Sequence, residues 1–128
     1  MHPFRELIIS TRPDCVDEGV ADLLGGYVRR GLPVWVELGL QSAVDATLKR
    51  INRGHSVKRF EEALNLLREK GILLAAHVIF GLPGEGRREM MHTVDYLAER
   101  RIDGVKMHDL HIPRASALFP EYLSGEPF

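Results

Sequence analysis

Apolar and polar positions alternate in Val34-Trp-Val-Glu-Leu-Gly-Leu-Gln-Ser42. Val36, Leu38 and Leu40 fall on one side; Glu37, Gly39 and Gln41 fall on the other. A period of two predicts a strand. Further strands are expected over Glu6–Thr11, Ile72–Phe80 and Gly104–Leu110. Between them the apolar positions recur at helical spacing. A first helix follows Pro13-Asp14, with Asp14 as its N-cap. Val16, Val20, Leu23, Leu24, Tyr27 and Val28 form its stripe, and Gly31 ends it. Ser42 is placed to cap a short helix running to about Arg50. Asn52-Arg-Gly54 breaks the chain, and Ser56 starts a longer helix with Phe60, Ala63, Leu64 and Leu67 inward and Gly71 as its stop. Gly81-Leu-Pro-Gly84 turns the chain into a last long helix carrying Met90, Met91, Val94, Leu97 and Ala98. Pro113 opens an irregular tail whose apolar anchors are Leu118, Phe119 and Tyr122.

Strands alternating with helices imply an α/β fold, a parallel sheet and right-handed crossovers. Ligands of such sheets bind at the carboxyl ends of the strands. Arg12, Gln41, Ser42, Gly81 and Leu110–Pro113 lie there. The strands also carry polar residues where a β/α protein ordinarily places apolar ones. Ser10 and Arg12 share a face of the first strand, Glu37 stands in the second, His77 interrupts the third, and Lys106 and His108 share a face of the fourth. A carboxylate in such a place is unfavourable unless paired or in contact with a ligand. Arg12, Glu37, Lys106 and His108 are therefore candidates for an interior polar site. Pairing of Glu37 with Arg12 or Lys106 as a structural ion pair is the plainer reading.

Composition narrows the class. The chain has 128 residues, one domain's worth, with a net charge of −1, which gives no support for bulk nucleic-acid or anionic-membrane binding. No apolar run is long enough to span a bilayer, and the first residues, Met1-His-Pro-Phe-Arg-Glu, lack a signal-peptide core. A single cysteine, Cys15, expected within the first helix, excludes an internal disulfide framework. These features favour the cytoplasm. His108 and His111 invite a metal-dependent hydrolase, but that spacing on a strand sends the two rings to opposite faces. Arg29-Arg30, Arg87-Arg88 and Arg100-Arg101 read as solvated helix ends.

Five segments in order resemble motifs of the radical S-adenosylmethionine (SAM) superfamily. They are Thr11-Arg-Pro-Asp14, Glu37-Leu-Gly-Leu-Gln-Ser42, Leu48-Lys-Arg-Ile-Asn-Arg-Gly-His55, Gly81-Leu-Pro-Gly-Glu85 and Leu110-His-Ile-Pro113. The resemblance is to the elongator-like and coproporphyrinogen-oxidase-like branch, and within it to the YhcC-like proteins. It implies a partial TIM-like (βα) barrel, of which this chain supplies about four parallel strands with outer helices. In the parent it implies a 4Fe–4S cluster on a C-x3-C-x2-C loop and reductive cleavage of S-adenosylmethionine to a 5′-deoxyadenosyl radical. Both the cluster motif and the glycine-rich segment that grips the methionine amine are missing here. Residues 1–128 thus resemble the C-terminal part of the barrel, without radical chemistry of their own. By the same resemblance Gln41 contacts the cofactor's ribose side and Arg53 reaches the cofactor from the next segment; the other readings are an amide tying down the strand-to-helix loop and a solvated Arg beside Gly54. Gly81 lies near the adenine and Leu110 offers backbone groups to the adenine edge, with turn formation and plain core packing as their other readings. His77 stands where relatives often carry an acidic cofactor contact, and a core histidine bonded to a neighbour is the other reading. Ser10 replaces a ribose-binding Glu of some relatives. Binding of tRNA follows only by analogy with elongator-like relatives. A homo-oligomer is expected because a partial barrel leaves sheet edges and an inner face open. The competing functions are a non-catalytic nucleotide-binding α/β domain and a metal-dependent barrel hydrolase.

Overall fold

The computed structural model describes residues 3–125. Four parallel strands form one sheet in the order of the chain: β1 (Leu7–Thr11), β2 (Val34–Gln41), β3 (Leu73–Phe80) and β4 (Gly104–Asp109). The helices are α1 (Glu18–Arg29), α2 (Asp45–Arg50), α3 (Val57–Glu69), α4 (Arg87–Glu99) and the short α5 (Phe119–Leu123). Sequential parallel order, with the right-handed crossovers that such connections adopt, puts the long helices on one side of the sheet, as in a segment of a barrel. The burial pattern agrees. Val34, Val36, Leu38 and Leu40 of β2 and Leu74, Ala76 and Val78 of β3 are buried against Phe60, Ala63, Leu64 and Leu67 of α3 and against Leu97. The alternate residues face the other side, where Ile8 and Leu73 stay exposed.

The strand limits differ from expectation by a residue at most. The caps differ more. Asp14 does not start α1; Pro13–Cys15 forms a single 3-10 turn, and Asp17 caps α1 by accepting the Val20 N–H at 2.8 Å. Pro13 favours a tight turn, and the chain needs Val16, fully buried, to dock before the helix begins. Cys15 therefore lies in that turn and not in α1. Leu23 points outward, 64% exposed, and is no part of the apolar stripe. Ser42 does not cap α2, whose N-cap is Val44. Its buried hydroxyl instead accepts the Val44 N–H at 3.1 Å and donates to Glu85. Ser56 caps α3 as expected, taking the Arg59 N–H at 3.1 Å.

In the tail, Leu118 and Phe119 are half-buried but Tyr122 is exposed, and an Arg50–Glu121 ion pair at 2.9 Å ties α5 to α2. Of the arginine pairs, Arg100 is more than a solvated end: its guanidinium lies over the Tyr96 ring at 3.5 Å and reaches Glu61 at 3.2 Å. Residues 1–2 of the N-terminal reading and the last three of the tail lie outside the described residues.

Candidate functional site

Two groups of polar residues occupy the open side of the sheet. The first sits at the carboxyl ends of β1 and β2. The β2–β3 register slips between Gly39 and Gln41, so that Leu40 is an extra residue and β2 bulges. Gln41 follows the bulge in the left-handed region, φ 70°. That backbone is uncommon for a residue with a side chain and marks a site held by its surroundings. Its Oε1 is buried with no hydrogen-bond partner. Nearby, the half-buried Arg53 donates from Nη2 to the Gly39 carbonyl at 3.1 Å and from Nε to His55 Nε2 at 3.0 Å. Burial, and then the nearby Arg12, lower the Arg53 pKa. His55 is 7% exposed, and burial also lowers its pKa. Accepting from Arg53, it gives its Nδ1–H to the Ser56 carbonyl at 3.2 Å, so the ring is the neutral Nδ1–H tautomer.

Two glycines make room for these arginines. A Cβ on Gly39 would stand 2.5 Å from Arg53 Nη2, and one on Gly54 would overlap Arg12 Nη2. Arg12 does not reach Glu37. It makes a two-pronged pair with Asp14, at 2.9 Å and 2.7 Å, which holds the Asp14 carboxyl below its usual range. The expected pairing fails because a nearer carboxylate is available two residues away. The remaining strand-end segments are braced to one another. Gly81, at φ 83°, turns the chain after β3; Leu82 is buried; Glu85 receives the Ser42 hydroxyl; and Thr93 Oγ1 accepts the Ala43 N–H at 3.0 Å. Leu110 is half-buried just past β4.

The second group lies one tier lower, in mid-sheet. The register aligns Ser10 with Glu37, and Gly39 with His77 and Lys106. Three groups converge on Glu37 Oε2: His77 Nε2 at 2.7 Å and Ser10 Oγ at 3.0 Å by hydrogen bonds, and Lys106 Nζ as an ion pair at 3.5 Å. Glu37 is accordingly held below its usual carboxylate range, chiefly by His77 and next by Ser10. The His108 ring lies 4.8 Å from that of His77. Glu37, Lys106 and His108 thus share this tier, Arg12 does not join them, and His77 belongs to this tier and not to the strand-end group. Ser10 is the member whose role the sequence did not reveal; its place opposite Glu37 depends on the β1–β2 register. His111 lies beyond the end of β4, and no three His, Cys, Asp or Glu side chains among the described residues are grouped to hold a metal. No described helix is long and apolar enough to cross a membrane.

The family model of the radical SAM superfamily matches residues 2–97. The chain belongs to this superfamily. It is 44% identical over 119 residues to Protein YhcC of Escherichia coli K12, covering 93% of this chain and 38% of YhcC. It is 29% identical over 123 residues to human Elongator complex protein 3, covering 93% of this chain and 22% of that one. Among solved structures, Elp3 of the archaeon Methanocaldococcus infernus superposes with a TM-score of 0.77 at 28% identity, over 95% of this chain and 28% of its own. Coproporphyrinogen III oxidase (HemN) of Escherichia coli gives a TM-score of 0.72 over 91% of this chain and 26% of its own; at 23% identity it shows the fold alone. The chain thus spans well under half the length of the relatives it matches. The four parallel strands with outer helices are part of a radical SAM barrel.

Proposed function

We propose that this chain is the C-terminal part of a radical SAM barrel, and that its strand-end group holds part of S-adenosylmethionine. Membership of the superfamily implies that cofactor and a 4Fe–4S cluster in a complete enzyme. The residues present fit the two unequally. They do not fit a cluster: Cys15, exposed in the turn after β1, is the sole cysteine, whereas such clusters are held by several thiolates. They do fit a nucleoside. The observation that carries the reading is Gln41 Oε1, a buried acceptor without a donor at the carboxyl end of a parallel strand. A ribose hydroxyl is a donor of the required kind. Arg53 supplies a guanidinium held in place by Gly39 and His55, suited to a carboxylate. Gly81 and Leu110 offer backbone at the ends of β3 and β4 to the adenine. When bound beside a reduced cluster, S-adenosylmethionine supplies a hydrogen-abstracting carbon radical. This chain's own part is to orient the nucleoside end.

His77 is removed from that role in this reading, since Glu37 already takes its Nε2–H. The small-molecule partner is the cofactor, the compartment is the cytoplasm, and the isolated chain self-associates through its open sheet. A tRNA substrate rests on the Elongator relatives alone and is the second reading.

Amide chemical shifts followed during titration with S-adenosylmethionine test the assignment. Weak, millimolar-range shifts are expected at Gln41, Arg53, Gly81 and Leu110, because the contacts that orient the sulfonium are missing. Shifts confined to other residues would reject the site, and micromolar affinity would reject the partial-site account. Anaerobic reconstitution followed by iron and sulfide analysis is expected to leave the chain without a cluster.

A further inference from the structure

The mid-sheet tier is not needed to hold the nucleoside, and it is a poor way to fill a sheet face. Four strands contribute one contiguous polar set: Ser10, Glu37, His77, and Lys106 with His108. An apolar tier of the same volume would stabilise the sheet at least as well. The geometry also has a direction. All three groups meet one oxygen, Glu37 Oε2. Two hydrogen bonds and a nearby ammonium favour the ionised carboxylate, so it is no base. In the neutral His77 ring its effect is to fix the Nε2–H tautomer, which leaves Nδ1 with the lone pair and no hydrogen bond among the described residues. The Glu37 and His77 side chains keep 19% and 17% of their surface exposed, and the neighbouring His108 is exposed.

We infer that His77 is a proton-transfer residue on the substrate side of the barrel, with Glu37 as its positioning residue. This rests on the reading of the open face as the barrel interior. The substrate class is a molecule whose reacting part bears a weakly acidic O–H or N–H. In the step, His77 Nδ1 takes the proton, the substrate heteroatom keeps the bonding electron pair, and the imidazolium formed keeps its Nε2–H on Glu37. The proton then leaves Nδ1 for water. This is the arrangement in which a buried carboxylate orients a histidine base without being protonated itself. Lys106, 3.5 Å from Glu37, offsets the carboxylate when His77 is neutral.

Diethyl pyrocarbonate acylates a bare imidazole nitrogen, and peptide mapping resolves each histidine. His55, buried with both nitrogens engaged, is the internal control. His77 is expected to react in the unmodified chain, and Glu37→Gln is expected to slow it about tenfold, the effect of losing one charge-assisted hydrogen bond that fixes the tautomer. An Nδ1 shielded by packing gives the opposite order: His77 silent in the native chain and faster in Glu37→Gln. That order would overturn the proposal. A two-bond nitrogen–proton correlation spectrum of the unsubstituted chain needs no variant; a protonated Nδ1 on neutral His77 would overturn it too. Failure of the S-adenosylmethionine titration at Gln41 and Arg53 with these rates intact would reject the cofactor site and leave His77 standing.

Discussion

Gly39→Ala isolates the packing at the end of β2. Nothing in the Gly39 backbone demands glycine, since it is not among the residues with positive φ. An Ala in a strand would ordinarily gain roughly 0.5–1 kcal/mol over Gly from reduced chain entropy. Here the new methyl would lie 2.5 Å from Arg53 Nη2 and 3.2 Å from Gln41 Nε2. The guanidinium must move off, giving up its bonds to the Gly39 carbonyl at 3.1 Å and to His55 at 3.0 Å. Hydrogen bonds from a charged group are worth about 1.5–3 kcal/mol. The displaced guanidinium regains water for part of this, so counting one bond lost and subtracting the entropy gain leaves a net loss of roughly 0.5–2.5 kcal/mol. At about 1–3 kcal/mol per molar urea, a loss of about 1.5 kcal/mol lowers the unfolding midpoint by roughly 0.5–1.5 M. Arg53→Ala removes the group that clashes, so Gly39→Ala added to it is expected to be neutral or slightly stabilising. The resulting coupling, of order 1 kcal/mol or more, is the decisive quantity in the double-mutant cycle. Additive effects would refute the reasoning, showing that Arg53 swings clear at no cost.

Ser42→Ala strips the Val44 N–H and Glu85 of a buried partner, and a loss of about 1–3 kcal/mol in urea unfolding is expected; a neutral result would mean that water replaces the hydroxyl. The fold depresses the Glu37 pKa through His77 and Ser10, so its stabilisation is present above the ordinary carboxylate range and lost as pH falls through the folded value. Glu37→Gln should flatten the acid limb of the stability–pH curve, and an unchanged limb would contradict this. Light scattering over a concentration series is expected to show a dimer or larger species formed through the uncovered side that exposes Ile8, at 53%, and Leu73. A monomer at every concentration would reject it.

Much of the fold is legible in the residues because the apolar periods are strong. Val36, Leu38 and Leu40 define β2, and Phe60, Ala63, Leu64 and Leu67 define α3. What the pattern does not carry is competition between nearby partners. Asp14 has the composition of an N-cap, yet Pro13 bends the chain into a turn and Asp17 takes the cap. Ser42 has the position of a cap, yet a carboxylate 43 residues away claims its hydroxyl. At the site, the shared face of Glu37, Lys106 and His108 follows from alternation alone. Placing His77 and Ser10 on the same carboxylate needs the strand register, and that is a tertiary fact. Arg12 was legible as a polar strand-end residue but not as Asp14's partner. The Gln41 orphan is invisible in sequence, since it arises from a bulge.

The strand order runs with the chain, and each strand is paired only to its sequence neighbours. β2 and β3 therefore have ladders on both sides, while β1 and β4 have one each. The side chains of β4 past Gly104 are all exposed. Opening of this sheet consequently has a built-in order. Amides of β4 should exchange with solvent through local fraying, whereas those of Val36 and Leu74 should exchange only when the whole core opens. The catalytic proposal inherits this gradient: Glu37 and His77 stand on the two strands that open last, and Lys106 and His108 on the strand that opens first. The reacting pair thus stands on the better-braced strands, and Lys106 and His108 stand on an edge strand open to what arrives there.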